Sequence, residues 1–229
     1  KRIRDIIQSS NLNFLIGSGL STPFLPLLND VEVRLNNASN DSQRNSVRKE
    51  YLTKVMLPNK RIINDSFSND AERESYIKVI TQYKVFLNYI SEILFDRKGT
   101  ILSKQANIFT SNMDIFTEKA LEANNLEYND GFSGKITPIF DISNFKKTIQ
   151  KRSLHFENVS EIPTFNLIKI HGSLTWQHDE NMDKIKFSNL DHFGQDLLSK
   201  SGTAFQKGYE DILIVNPERS KLQKTVLEV

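Results

Sequence analysis

Apolar residues occur along the chain in two patterns, short continuous runs and helix-like spacings. Four runs have the length of a strand: LNFLI (12–16), ANIFT (106–110), FNLIKI (165–170) and DILIV (211–215). Stretches with apolar residues three or four positions apart separate them, as is typical of amphipathic helices. Short apolar strands that alternate with helices are typical of a parallel sheet covered by helices on both faces. The pattern therefore predicts an α/β fold of this kind.

Residues 37–99 interrupt this alternation, because they carry helical patterns rather than strands. The stretch 71–96 has aromatic and aliphatic residues at helical spacing, and the polar stretch 36–46 before it predicts a loop. We interpret 37–99 as a helical insertion or small helical lobe within a single domain, residues 1–229. Its apolar stripe is expected to pack in the core: Tyr76, Val79, Ile80, Tyr83, Phe86, Leu87, Ile90, Ile93 and Leu94.

Charge and residue usage narrow the classes of function. The chain has 30 basic and 28 acidic residues, a formal net charge of +2, which argues against a dedicated nucleic-acid-binding protein with one basic face. No apolar run approaches the length of about 18 residues that a membrane-spanning helix needs. The chain has no cysteine, which excludes disulfides, thiol nucleophiles and cysteine-ligated zinc. These features lead us to expect a cytoplasmic protein without a metal centre.

Polar motifs directly follow three of the apolar runs. The sequence reads GSGLS after residue 16, SNMD after residue 110 and HGS after residue 170. In an open parallel sheet the carboxyl ends of the strands meet at one edge, and ligands bind there. A fourth, weaker strand end is DILIV, followed by Asn216 and Pro217. The three motifs are therefore candidates for a single binding site.

Gly17 and Gly19 would let the first turn come close to a phosphate. Glycine has no side chain, so the chain can turn tightly and present its main-chain N–H groups. The dinucleotide-binding fingerprint has a third glycine where Thr22 stands here, so the match is incomplete. A simple strand-to-helix turn therefore remains an alternative for these two glycines.

The other two motifs also have both a structural and a functional interpretation. Asn112 or Asp114 could cap the helix that follows, or the two side chains could converge on a sugar or an amide. His171 could be a structural residue at the end of its strand. It could also be a neutral imidazole placed for general-base chemistry near pH 7.

Taken in order, Gly-Ser-Gly-Leu-Ser, Thr-Ser-Asn-Met-Asp and Ile-His-Gly resemble the motifs of the sirtuin family. The surrounding sequences YNDGFSG, KIHGSLTW and ILIVNP are similar to the sirtuin-like domains of bacterial antiviral proteins. This resemblance covers the chain from about Leu12 to Pro217. It implies a Rossmann-like sheet with NAD+ bound at the strand ends.

The resemblance also implies a role for each residue that matches a family motif. Asn112 would hold the nicotinamide-side ribose or the attacking water, and Asp114 would bond the nicotinamide carboxamide. His171 would act as the general base. The remaining NAD+-binding positions lie on the turn around the pyrophosphate, beside Asn112 and near the adenine-side ribose: Gly17, Ser18, Gly19, Ser21, Thr22, Ser111 and Asn216.

Two departures from the sirtuin pattern bear on the reaction. Sirtuins that deacylate proteins carry two cysteine pairs on a structural zinc, and without cysteine this chain has no zinc ribbon. Ser111 stands where the family has glutamine. Both departures favour hydrolysis of NAD+ to nicotinamide and ADP-ribose over protein deacylation or ADP-ribosylation. A sensor that binds NAD+ or ADP-ribose without turnover is the other alternative, although Asn112 and His171 are both present.

The resemblance further implies a biological setting. Such domains deplete NAD+ in anti-phage defence, an abortive-infection response, and act as homo-oligomers. Some work with a hexameric translocase-type ATPase or respond to a phage-derived activator. We expect NAD+ as the substrate, no metal and little activity in the isolated domain. The final segment KLQKTVLEV has the pattern of a helix that stops at Val229, so we also expect the natural protein to be longer.

Overall fold

A four-stranded parallel sheet lies at the centre of the protein. The computed structural model describes residues 6–27, 29–97, 102–152, 154, 158–179 and 182–214. Its strands are β1 (Leu12–Ile16), β2 (Gln105–Thr110), β3 (Glu127–Asn129), β4 (Phe132–Ser133), β5 (Ile139–Phe140), β6 (Gln150–Arg152), β7 (Val159–Glu161), β8 (Thr164–Lys169), β9 (Gly172–Asp179), β10 (Lys184–Phe187) and β11 (Ile212–Ile214). Its helices are α1 (Asn29–Asn37), α2 (Asp41–Tyr51), α3 (Leu57–Asn64), α4 (Asp70–Phe95), α5 (Phe116–Ala123), α6 (Gln195–Ser199) and α7 (Gly202–Glu210).

The pairing of the strands confirms the predicted α/β fold with a parallel sheet at its centre. β1, β2, β8 and β3 are neighbours in that order and run parallel. Ile16 pairs with Thr110, and Thr110 pairs with Lys169. The last residues of β1, β2 and β8 therefore stand side by side, so the turns after them leave the sheet at one edge. With helices flanking the sheet, the arrangement is Rossmann-like.

Helix α4 covers one face of this sheet and confirms the predicted helical stripe. Its first turn is capped by Asn69, which accepts a hydrogen bond from the Glu72 N–H at 2.9 Å. Phe86 of α4 meets Phe14 of β1 edge to face, with ring centroids 5.3 Å apart. Among the described helices none is long and apolar enough to cross a membrane. The fully buried part of the stripe comprises Val79, Tyr83, Leu87 and Leu94.

The opposite face of the sheet carries a row of asparagines. Asn107 donates to Asn13 at 2.8 Å, and Asn166 donates to Asn107 at 2.9 Å. On the same face Gln105 donates to the Lys147 carbonyl at 2.9 Å. This face is therefore polar and partly exposed, and the apolar core is concentrated on the side of α4.

Most of the polar stretch 36–46 is helical, so the prediction of a loop is wrong except at residues 38–40. α1 ends at Asn37 and α2 begins at Asp41. Asn40 caps α2 by accepting a hydrogen bond from the Gln43 N–H at 2.9 Å. Because the outward face of α2 is polar, this stretch is helical although it lacks an apolar periodicity. Helices thus follow one another from residue 37 to residue 95, and their status as an insertion stays a prediction.

The run DILIV does not extend the parallel sheet. β11 pairs antiparallel with β9, in a five-stranded sheet of order β11-β9-β10-β5-β4, while β6 and β7 pair with each other. The prediction of a fourth strand end beside the other three is therefore wrong. The direction of β11 is set by its partner, which the apolar run itself does not specify. Asn216 lies outside the described residues.

Candidate active site

The turn after β1 is built around Gly17 and Gly19. Gly17 has φ −116° and ψ 176°, and a single 3-10 turn follows over Ser18–Ser21. A Cβ atom added at either glycine would meet no atom within 4 Å among the described residues. Within the described part of the chain, neither the backbone angles of Gly17 nor the packing of the turn requires glycine.

The turn after β2 is tied to the end of β1. The Thr110 hydroxyl donates to the Ile16 carbonyl at 3.0 Å, and the Ser111 N–H donates to the same carbonyl at 3.2 Å. The Asn112 side chain then donates through Nδ2 to the Gly17 carbonyl at 3.1 Å. The first two sequence motifs, 95 positions apart for Asn112 and Gly17, therefore meet in one site.

Asp114 lies behind this contact in a buried hydrogen-bond network. Ser21 Oγ donates to Asp114 Oδ2 at 2.6 Å and lies 3.1 Å from the Tyr83 hydroxyl. The Phe116 N–H donates to Asp114 Oδ1 at 3.2 Å, so the carboxylate also caps the start of α5. Burial raises the pKa of Asp114, while Lys169 and the Ser21 hydrogen bond act to lower it. Asp114 thus organises the turn from below, with both oxygens engaged.

Asn112 has unused hydrogen-bonding capacity at this edge of the sheet. Its side chain is only 7% exposed, and its Nδ2 group lies within 3.4 Å of Ser21 Oγ, the Tyr83 hydroxyl and the Gly17 carbonyl. Its Oδ1 atom is buried and has no hydrogen-bond partner among the residues that the structure describes. A buried acceptor without a partner costs free energy, typically about 1–3 kcal/mol, unless a ligand or water supplies the donor.

Two charged residues that sequence reasoning missed hold the underside of the site. Lys169, the last residue of β8, forms an ion pair with Glu118 of α5 at 2.6 Å. Its Nζ also donates to the Asp114 carbonyl and, at 3.1 Å, to Ser173 Oγ. Burial raises the pKa of Glu118, opposed by Lys169. The sequence signal for this pair was Lys169 itself, because a lysine inside an otherwise apolar strand needs a buried partner.

Tyr83 was also missed as a site residue, because its position in the apolar stripe of α4 assigned it to the core. The ring does pack there, stacked on Phe116 with centroids 5.6 Å apart. Its hydroxyl nevertheless reaches Ser21 and Asn112. Burial is the main cause that raises the pKa of Tyr83, so the phenol keeps its proton.

His171 stands at the same edge of the sheet, in the turn between β8 and β9. It follows Lys169 by two residues, just as Asn112 follows Thr110, and these two strand ends are paired. The imidazole is half-buried. Gly172 beside it has φ +78°, and an added Cβ would lie 2.0 Å from the Leu213 carbonyl oxygen. The tight turn after His171 therefore requires glycine.

The structure thus joins four of the sequence-predicted residues in one hydrogen-bond network, namely Gly17, Ser21, Asn112 and Asp114. Four others lie on the same two turns: Ser18, Gly19, Thr22 and Ser111. The Thr22 hydroxyl is directed to the Gly19 carbonyl at 2.8 Å, so it shapes the turn itself. His171 reaches this edge through the register of β8.

No family model matches the chain, and no curated protein matches it in sequence. The resemblance to sirtuins therefore rests on the sequence motifs alone and stays a prediction. In the described part of the chain, no three histidine or acidic side chains are grouped so that they could hold a metal ion.

Proposed function

We propose that the protein is an NAD+ glycohydrolase, which cleaves the bond between nicotinamide and ribose to give nicotinamide and ADP-ribose. The observation that carries this proposal is the buried Oδ1 of Asn112, which no described residue bonds, beside the Gly17 turn. A ribose hydroxyl or a water molecule is a donor of the kind that this oxygen lacks.

The glycine turn supports a pyrophosphate as the neighbouring group. Open space at the Cβ positions of Gly17 and Gly19 leaves the main chain accessible to a large anion. Main-chain N–H groups are effective donors to phosphate oxygens. A dinucleotide with its pyrophosphate here would bring its nicotinamide-side ribose within reach of Asn112.

The residue types suit hydrolysis of NAD+ without a metal. When the bond from C1′ to the pyridinium nitrogen breaks, its electron pair neutralises the pyridinium, so the leaving group needs no strong acid. Water attacks the oxocarbenium-like C1′ and gives up a proton, which His171 accepts as general base. Asn112 would orient that water or the ribose, so the protein contributes mainly positioning.

We extend the proposal to cellular NAD+ depletion in anti-phage defence, in the cytoplasm and in a homo-oligomer. A hexameric translocase-type ATPase or a phage-derived molecule would activate it. This part of the proposal rests on the sirtuin-like motifs alone. An activator would be needed because unregulated loss of NAD+ is toxic, so the hydrolase must stay inactive in uninfected cells.

The proposal is tested by nicotinamide release from NAD+ by the wild-type protein and by Asn112→Ala and His171→Ala, with and without phage lysate. Each substitution should lower turnover at least about 100-fold, as expected for loss of a general base or of substrate orientation. His178→Ala is the matched control, since His178 lies on β9 and is bonded to Asp183 at 3.0 Å, and its turnover should equal that of the wild type.

Two results would contradict the proposal in different ways. NAD+ binding without turnover under any activating condition would favour the sensor. Turnover that depends on an acyl-lysine peptide would favour the sirtuin-type deacylase.

A further inference from the structure

We propose that Tyr83 is a positioning residue, which fixes the orientation of the Asn112 carboxamide through its hydroxyl group. The inference rests on the proposed function, because it gives Asn112 a defined task toward the substrate. It goes beyond the proposed function because it gives a residue of helix α4 a role in the site. From the sequence, this helix was expected only to pack in the core.

The number of hydroxyl protons in the network determines which group donates in each hydrogen bond. Ser21 has one hydroxyl proton, and the short 2.6 Å contact commits it to the Asp114 carboxylate. The Tyr83 hydroxyl, 3.1 Å from Ser21 Oγ, must then be the donor in that pair. The oxygen of Tyr83 is left as an acceptor for Asn112 Nδ2, at 3.4 Å.

This direction fixes which end of the Asn112 carboxamide points inward. Nδ2 faces three acceptors, the Gly17 carbonyl, Ser21 Oγ and the Tyr83 oxygen. A flipped carboxamide would set its oxygen against the Gly17 carbonyl, where no donor is available. Tyr83 therefore helps to keep Oδ1 on the side where no described residue bonds to it.

The surroundings of Tyr83 allow it to hold this orientation. The side chain is fully buried and its ring lies nearly parallel to Phe116, with an interplanar angle of 12°. Phe116 is the first residue of α5, directly beyond the loop that carries Asn112 and Asp114. The phenol is thus fixed relative to the loop that it orients.

The test compares Tyr83→Phe with Tyr76→Phe. Both tyrosines lie on α4 and both rings contact Phe116, at 5.6 Å and 5.9 Å between centroids. Only the Tyr83 hydroxyl bonds to Asn112 and Ser21. The readouts are the NMR signals of the Asn112 side-chain amide, assigned with Asn112→Ala, together with kcat and KM for NAD+ and the temperature of unfolding.

The inference predicts that Tyr83→Phe shifts the Asn112 amide signals and lowers kcat by about three- to tenfold, the range of one hydrogen bond. KM should stay within about twofold, because ring packing and the glycine turn are kept. Tyr76→Phe should change neither the signals nor kcat. Unchanged Asn112 signals in Tyr83→Phe, or equal kcat in the two variants, would overturn the inference.

A measurement on the wild-type protein keeps the inference falsifiable should Tyr83→Phe fail to fold. The Asn112 amide protons should show nuclear Overhauser contacts to the Tyr83 ring, and their absence would overturn it. If the wild type neither binds nor cleaves NAD+, the proposed function fails, whereas the Asn112 signals still decide the role of Tyr83.

Discussion

Two glycine turns leave the same edge of the sheet, and glycine has a different cause in each. At Gly172 the left-handed backbone and the Leu213 carbonyl, 2.0 Å from an added Cβ, exclude any other residue. At Gly17 the backbone angles are ordinary, and an added Cβ meets no described atom within 4 Å. The fold therefore explains the glycine at position 172 but not the glycine at position 17. A ligand that approaches the turn after β1 would explain Gly17.

The largest expected effect is on Gly172. Gly172→Ala should lower the free energy of unfolding by about 3 kcal/mol or more. The alanine would have to adopt a left-handed backbone conformation, and its Cβ would clash with the main chain. Gly202→Ala is the matched control, since Gly202 also has a positive φ, +54°, but open space around the Cβ position. It should lose only about 1 kcal/mol. Urea denaturation measures both, and equal losses would show that the Leu213 contact does not matter.

An effect of similar size or slightly smaller is expected at Lys169, which anchors the turn of His171 from below. Lys169→Met leaves Glu118 buried without its partner, so the free energy of unfolding should fall by about 3 kcal/mol at neutral pH. A raised folded-state pKa of Glu118 means that its contribution is present at low pH and is lost as pH rises through that pKa. Lys169 acts to lower this pKa, so Lys169→Met raises it further. The deficit of the variant should therefore shrink as pH falls toward the ordinary glutamate pKa, and it should be smallest below that pKa.

The control for Lys169 is a second substitution. Glu118→Gln in the Lys169→Met background removes the stranded charge and should restore part of the stability. A Lys169→Met protein as stable as the wild type, or with a deficit independent of pH, would show that the ion pair contributes little.

The smallest effect on stability is expected at Gly17. Gly17→Ala should change the free energy of unfolding by less than about 1 kcal/mol, with a slight gain possible because alanine restricts the unfolded chain. The temperature of unfolding measures it. A large loss would mean that the first turn, like the second, needs glycine for its own structure, and the contrast between the turns would disappear.

Much of the fold could be predicted from sequence because its central strands are short, apolar and buried. β1, β2 and β8 coincide with the apolar runs to within a residue or two. The direction of β11 could not be predicted, since it depends on how the chain turns after β8. The start of α2 was missed because an asparagine cap and a polar face leave no apolar pattern.

The candidate site divides in the same way. Gly17, Asn112 and His171 could be found because each stands directly at a strand end, where chain order predicts spatial order. Lys169 stands out as a lysine in an apolar strand, but the strand does not show which acidic residue is its partner. Tyr83 could not be assigned from its own surroundings. The Tyr83 hydroxyl meets Ser21 across 62 positions of sequence, and helical periodicity does not distinguish such a tyrosine from one in the core.

The measurement that tests the central claim most directly is calorimetric titration of NAD+ into the wild-type protein and Gly17→Ala. The account predicts binding by the wild type, and at least tenfold weaker binding by Gly17→Ala, about 1.4 kcal/mol, at an unchanged temperature of unfolding. An added methyl group would then occupy space that only the nucleotide needs. Equal affinities for the two proteins, or no binding by the wild type, would contradict the account.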